Sequence, residues 1–220
     1  MTEALRVSRL EKLYGGRVVL RDVSTSLHDG EVLGLIGANG AGKTTFLRIL
    51  AGFVRPSRGR VEWGKTGSHL PPLSTGYFAG APTLPPRVRV RTWVRLVSGG
   101  TATCDDRRPI ASLSRGSRQL LGLSALFART DLDVVLLDEP WEGLDPDASR
   151  WLTDTVARRR SEGMAFLLSS HRLHDLAGLC DRYAFLLDGR VILRDAVEIS
   201  PSAVRGEDLL ALFDRIRCNP

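Results

Sequence analysis

Between Val19 and Leu27 the side chains alternate. Val19, Arg21, Val23, Thr25 and Leu27 fall on one face, and Leu20, Asp22, Ser24 and Ser26 on the other. A period of two marks a strand, and the first 30 residues as a whole read as strands, ending at the turn signal Asp29-Gly30. Val32 to Ile36 is a short apolar run, the pattern of a strand buried on both faces. Lys43 to Ala51 changes to helical spacing through Phe46, Leu47 and Leu50, with Gly52 just past its end. Residues 64–90 are rich in Gly and Pro, including Pro71-Pro72 and Pro85-Pro86, and read as irregular. Within 87–108 the best helix candidate is Val90 to Val97, and a second helix is predicted over Arg115 to Ala128. From Asp133 onward strand and helix alternate: strand Val134–Leu137, helix Asp147–Arg160, strand Met164–Leu168, a short helix, then strand Tyr183–Leu187. Such alternation predicts a parallel sheet in an α/β fold. There is no internal repeat and no low-complexity segment.

Composition narrows this picture. With 220 residues, 43% hydrophobic and 25% charged, the chain suits one globular domain, or one domain with a smaller lobe, and argues against disorder. The net charge of +6 allows nucleic acid or an anionic surface as a partner. However, 28 of the 31 cations are arginines, dispersed along the chain, with Arg158, Arg159 and Arg160 the longest string. This leaves solvated surface arginine as the plainer reading. Three widely spaced cysteines without a CxxC pair argue against a disulfide scaffold and fit free thiols in a reducing cytoplasm. Met1 to Leu10 has no apolar signal core, and no stretch approaches 18 uninterrupted apolar residues, so a membrane role is expected only through a partner.

Chemistry enters at Gly37-Ala38-Asn39-Gly40-Ala41-Gly42-Lys43-Thr44, which satisfies G-x-x-x-x-G-K-[ST] between a buried strand and a helix. Glycines let backbone N–H groups converge on phosphate oxygens, and a helix N-terminus adds a favourable dipole for the anion. Lys43 is expected to reach the β- and γ-phosphates and the Thr44 hydroxyl to ligate Mg²⁺. About 95 residues on, the apolar strand Val134-Val135-Leu136-Leu137 ends in Asp138-Glu139. Carboxylates at the C-terminal edge of a parallel sheet stand where such folds bind ligands. Asp138 is placed to hold Mg²⁺ through water, and Glu139 to orient or deprotonate an attacking water.

Together these residues resemble the ATP-binding subunit of an ABC transporter, nearly from end to end. Tyr14-Gly15-Gly16 stands where that family has an aromatic residue stacked on adenine, although a turn aromatic packing on its own lobe would look the same. Leu113-Ser114-Arg115-Gly116-Ser117 stands at the family signature, commonly LSGGQ. Glu139-Pro140 with Gly143-Leu144-Asp145 is similar to the catalytic acid and D-loop, and Ser169-Ser170-His171 to the switch histidine. The resemblance implies a P-loop NTPase (RecA-like) core with an N-terminal antiparallel β subdomain and a shortened α-helical subdomain. It implies one domain over 1–220, in which 1–78 and 129–220 form the RecA-like and β lobes and 79–128 the helical subdomain. It implies ATP and Mg²⁺ as ligands. The ATP-binding set is Tyr14, Gly37, Asn39, Gly40, Ala41, Gly42, Lys43, Thr44, Thr45, Ser114, Gly116 and Asp145. The metal residues are Thr44 and Asp138, and the catalytic ones Glu139, His171 and Lys43. Partners would be an integral membrane permease and a second ATPase subunit, paired head to tail as homodimer or heterodimer so that Ser114 and the Gly116 N–H meet the other subunit's γ-phosphate. The location would be cytoplasmic, on the inner face of the cell membrane through the permease, with no nucleic acid expected.

The chain departs from the family pattern at three places. Arg115 and Ser117 replace the usual Gly and Gln of the signature; the LSRG form is similar to some exporter subunits. Gly80 stands where the family has a Gln or Glu, and no Gln precedes Gln119. Only 33 residues lead from Gly80 to Leu113, which implies a clipped helical lobe carrying the arginines at 87, 89, 91 and 95. Ala81-Pro82-Thr83-Leu84 resembles a segment of the haem exporter subunit of cytochrome c maturation, and Glu207 to Phe213 a tail helix of exporter-type subunits. An exporter ATPase is the expected function. The alternatives are a catalytically weak ATP-binding regulatory partner and a non-transport ABC ATPase acting on nucleic acid or ribosomes.

Overall fold

A computed structural model describes residues 2–64, 67–100 and 104–218. Residues 101–103, inside the 79–128 stretch, and Lys65 lie outside the described residues.

The long N-terminal strands β1 (Glu3–Tyr14) and β2 (Arg17–His28) pair antiparallel, and β1 pairs on its other edge with β4 (Arg58–Trp63). Here the alternation predicted for β2 fails. Leu20, assigned to the polar face, is fully buried, together with Val23, Thr25 and Leu27, whereas Arg21 is exposed. The cause is an extra residue in the ladder. The register moves from Leu10↔Val23 to Lys12↔Leu20, and Asp22 sits in the left-handed region at φ +50. A bulge of this kind reverses the face that follows it. A second bulge at Arg9 (φ +46) in β1 is matched by Gly59 (φ +75) in β4, where a Cβ would lie 2.3 Å from the Arg9 carbonyl oxygen. The shifted phase has an energetic consequence. Leu20→Ala is expected to cost about 2–5 kcal/mol in denaturant unfolding, and Ser24→Ala, which loses only an exposed bond from the Arg9 N–H, about 0.5–1.5 kcal/mol. Equal effects would contradict the bulged register.

The second sheet carries the site. Its six strands run in the order β5 (Thr75–Phe78), β6 (Val134–Asp138), β7 (Ala165–Ser170), β3 (Val32–Ile36), β8 (Arg182–Leu187), β9 (Arg190–Asp195). All neighbours are parallel except β8 and β9, which pair antiparallel. The strands β4, β5 and β9 are absent from the periodicity reading, β5 because it is four residues within a Gly- and Pro-rich stretch. The fold is therefore α/β, with an antiparallel β subdomain beside a parallel sheet core.

Alternate residues of the central strands enter two cores. Val32, Ile36, Val135, Leu137, Phe166 and Leu168 face one side, with helices α2 (Val90–Val97), α3 (Arg115–Phe127), α4 (Pro146–Ser161), α5 (Leu173–Leu176) and α7 (Gly206–Cys218) supplying partners such as Val94, Leu123, Leu152, Leu176 and Leu209. A further short helix, α6 (Ala196–Ile199), precedes α7. Leu33, Leu35, Val134, Leu136 and Leu167 face the other side, against α1 (Lys43–Leu50) and the inner face of the three-stranded sheet. Fully burying each such side chain contributes about 1.5–3 kcal/mol, which explains why these strands read as apolar runs. All three cysteines are free. Cys180 is packed so closely beneath Gly34 that a Cβ there would come within 2.9 Å of its sulfur. Cys104 is half-buried, and Cys218 is exposed at the end of α7. Among the described residues no helix is long and apolar enough to cross a membrane.

Candidate nucleotide-binding site

The parallel register brings three strand ends to one edge. Ile36 is level with Ser170, and Asp138 with Ser169. The segments that follow, 37–42, 139–145 and 171–172, therefore leave the sheet side by side, at the position where open α/β sheets bind ligands.

The 37–42 loop is shaped by close backbone approach. A Cβ on Gly37 would lie 2.9 Å from the Leu186 carbonyl oxygen, and Gly42, the residue before α1, has φ +110. Gly40 (φ +80) has open space where a side chain would be. Asn39, Gly40, Ala41, Gly42, Lys43, Thr44 and Thr45 line a cleft of about 1050 Å³. Tyr14, Arg17, Val18, Val19 and Arg21 form its wall on the β-subdomain side, and Asp188, Gly189, Phe213 and Arg217 another. Tyr14 is half-exposed, and the Lys12 ammonium sits 4.7 Å from the centre of its ring. The volume is at the upper end of ordinary small-molecule sites.

At the base of the cleft, polar groups are joined in one network. The buried Lys43 Nζ donates to the Gly37 carbonyl oxygen at 2.7 Å and stands 3.1 Å from Glu139 Oε1. The Thr44 hydroxyl donates to Asp138 Oδ2 at 2.6 Å, and the Ser169 hydroxyl to Asp138 Oδ1 at 2.6 Å. Both oxygens of this buried acid are thus engaged by hydroxyls. Glu139 has left-handed backbone, φ +48, unusual for a residue with a side chain. Its N–H is held by Ser169 Oγ at 3.0 Å and by the Ser169 carbonyl oxygen at 3.2 Å. Glu139 Oε2 accepts the His171 backbone N–H at 3.2 Å, and His171 Nδ1 lies 2.9 Å away. A bond to a carboxylate oxygen places the imidazole proton on that nitrogen. Asp175, mostly buried nearby, has its carboxyl pushed up from the usual range by desolvation, offset in part by Arg172 and His174.

The remaining residues singled out in the sequence lie elsewhere. Ser114, Gly116 and Asp145 do not line this cleft, and Gly37, Asp138 and His171 stand behind it, joined to its lining residues Lys43, Thr44 and Glu139. Ser114 is the N-cap of α3, its oxygen accepting from the Ser117 N–H at 3.1 Å. Asp145 caps α4, accepting from the Ala148 N–H at 2.8 Å. Gly116 presses on the 142–145 turn: a Cβ there would come within 2.5 Å of the Gly143 carbonyl oxygen. Arg115 forms an ion pair with Glu142 in the same turn. Two residues had no assigned role in the sequence reading and acquire one from geometry. Ser169 holds Asp138 and Glu139 together, and Gln119 bonds to the main chain at both Ala81 and Glu139-Pro140.

A phosphate-loop cleft at the edge of a parallel sheet, lined by a hydroxyl, an ammonium and a carboxylate, with a second carboxylate bonded to the hydroxyl, defines a nucleotide-binding ATPase fold. The comparisons give the family. A family model for ABC transporters matches residues 20–142, more than half of the chain. The lantibiotic transport ATP-binding protein SrtF of Streptococcus pyogenes is 33% identical, covering 97% of this chain and 100% of that protein. The lipopolysaccharide export system ATP-binding protein LptB of Acidithiobacillus ferridurans is 30% identical over 87% of this chain and 90% of its own. A solved ATP-binding subunit of an ABC transporter superimposes with a TM-score of 0.82 at 25% identity, covering 95% of this chain and 99% of that one. Relatives named for export and for import both occur among the matches. The chain belongs to the ABC transporter ATP-binding family. It is an ATP-binding subunit of a transport system, and membership implies ATP hydrolysis.

Proposed function

We propose that this subunit drives an exporter, acting through a separate integral membrane permease and paired with a second ATPase subunit. The observation that carries the catalytic part is Glu139, whose carboxylate touches both Lys43 and His171 at the base of a cleft lined by the phosphate loop. In this reading Lys43 and the loop amides from Asn39 to Thr45 bind the phosphates, with Gly37 and Gly40 giving the backbone its close approach. Tyr14 offers a half-exposed ring to the base. The donors at Thr44 and Asp138 are oxygens 2.6 Å apart, the hard set that Mg²⁺ takes. When bound there, the ion would neutralise charge on the phosphates. Glu139 accepts a proton from the attacking water, and His171 holds the carboxylate in place through its backbone N–H and Nδ1.

Ser114 and Gly116, at the start of the 13-residue helix α3, present a positive helix end outside their own cleft. That placement supports a head-to-tail pair in which they and Asp145 face the other subunit's nucleotide. Binding closes the pair and hydrolysis reopens it. The whole chain acts as one ATPase domain, with 79–128 as a trimmed helical lobe toward the permease. The subunit works on the cytoplasmic face of the membrane, held there by the permease.

Export is favoured by the LSRG form of the signature and by relatives whose names specify lantibiotic transport and lipopolysaccharide export. The direction is tested with the co-purifying permease in inside-out membrane vesicles. ATP-driven accumulation inside the vesicles is expected, and ATP-driven loss would make the system an importer.

A further inference from the structure

Gln119 is the chain's single glutamine and is 2% exposed on α3. Its Oε1 accepts the Ala81 backbone N–H at 2.7 Å. Its Nε2 donates to the Pro140 carbonyl oxygen at 2.8 Å and to that of Glu139 at 3.3 Å. One carboxamide therefore joins three pieces of chain: α3, the turn that follows β5, and the turn that follows β6. Its two donors and its acceptor are all engaged. Breaking such a buried set leaves main-chain groups desolvated and unpaired.

The place where these bonds fall gives them meaning. Ala81 follows Gly80, whose backbone is left-handed at φ +85, and Gln119 Oε1 lies 3.7 Å from where a Cβ of Gly80 would sit. Position 80 has no side chain of its own to reach the catalytic turn, and Gln119 fills the adjoining space. On the other side, Glu139 is held at both ends of its peptide. Its N–H is fixed by Ser169, and its C=O accepts from Gln119. The residue is in a backbone region that persists only when its surroundings over-determine it. Releasing the C=O frees the turn to relax and re-aims the carboxylate.

We propose that Gln119 is a positioning residue for Glu139 and that it ties the Gly80–Ala81 segment to the catalytic turn, so that the two move together. The proposal rests on the reading of Glu139 as the base that activates water. Gln119 touches neither the phosphate loop nor Lys43, so its loss acts on turnover and leaves nucleotide affinity alone.

The test uses the full chain in two variants. Gln119→Met keeps the length of the side chain and removes both polar ends. Gln119→Glu keeps the acceptor for the Ala81 N–H but sets a carboxylate against two carbonyl oxygens. Binding of a fluorescent ATP analogue gives affinity and, from its stoichiometry, the folded fraction; steady-state hydrolysis gives kcat and KM. A misplacement near 1 Å costs on the order of 100-fold in rate. A fall in kcat of about 10- to 100-fold is therefore expected in both variants, with affinity within about threefold of the parent. A kcat within about twofold of the parent in either variant overturns the proposal. So does a loss of kcat no larger than the loss of binding stoichiometry, or a complete loss of binding in both, because Gln119 would then serve stability alone. Glu139→Gln measured alongside separates the two readings. Turnover retained in that variant sinks the base assignment; turnover lost there but kept in Gln119→Met sinks only the link.

Discussion

Glu139→Gln is expected to bind ATP about as tightly as the parent while its turnover falls by a factor on the order of 10²–10⁴, the contribution of a positioned general base. The substitution changes one atom and keeps the shape. An amide oxygen can still accept the His171 N–H that now reaches Glu139 Oε2 at 3.2 Å, so the turn after β6 should hold its form. What disappears is the capacity to take a proton. With hydrolysis blocked, ATP should stay bound and the paired state should persist. Gel filtration in ATP would then show a larger species in the variant than in the parent, and a turnover assay on the same sample would read the loss. Turnover near the parent value would remove Glu139 from the base role and direct attention to another group beside His171.

Lys43→Ala should act on the other half of the reaction, the binding of phosphate. The Lys43 ammonium is 6% exposed and is held at the loop by the Gly37 carbonyl oxygen, 2.7 Å away, and by Glu139, 3.1 Å away. A hydrogen bond from a charged group contributes about 1.5–3 kcal/mol, and every 1.4 kcal/mol is about tenfold in affinity. Loss of two such bonds to phosphate oxygens should weaken ATP binding by about 100-fold or more and leave no measurable turnover. Lys43→Arg should not restore either property. A planar guanidinium is wider than an ammonium and cannot enter the narrow place between Gly37 and Glu139 without moving them. Equilibrium titration with ATP reads the first effect directly. An affinity unchanged in Lys43→Ala would mean that the loop amides alone hold the nucleotide.

The parts of this site that could be read from the sequence are those whose residues are consecutive. Gly37 to Thr44 form the loop and the start of α1 in one unbroken stretch, and Val134 to Glu139 carry their acids at the end of an apolar strand. Their chemistry and their local structure are written in the same few letters. The α/β core was legible for the same reason, because β3, β6, β7 and β8 are buried on both faces and helices lie between most of them. Long-range placement was not legible. Gln119 meets Ala81 across 38 positions and Pro140 across 21, and only the packing of α3 brings these together. Ser169 was visible as a neighbour of His171, but its bonds to Asp138 and Glu139 come from the pairing of β6 with β7. The face of Leu20 does not follow from alternation, because its bulge is made by Asp22 in left-handed backbone, where no glycine announces a break in phase.

The three cysteines make the chain its own labelling kit. Burial pushes the Cys180 thiol well above the usual range, so at neutral pH it holds its proton and is unreactive toward alkylating dyes. That leaves Cys104 in the 79–128 stretch and Cys218, one residue beyond Arg217 at the wall of the cleft. A donor and an acceptor dye attached to the unmutated protein would therefore span the distance from Cys104 to Cys218 at the end of α7. A change in their separation on adding ATP would show that the segment around 104 moves relative to α7 when the cleft is filled, and an unchanged separation that it does not.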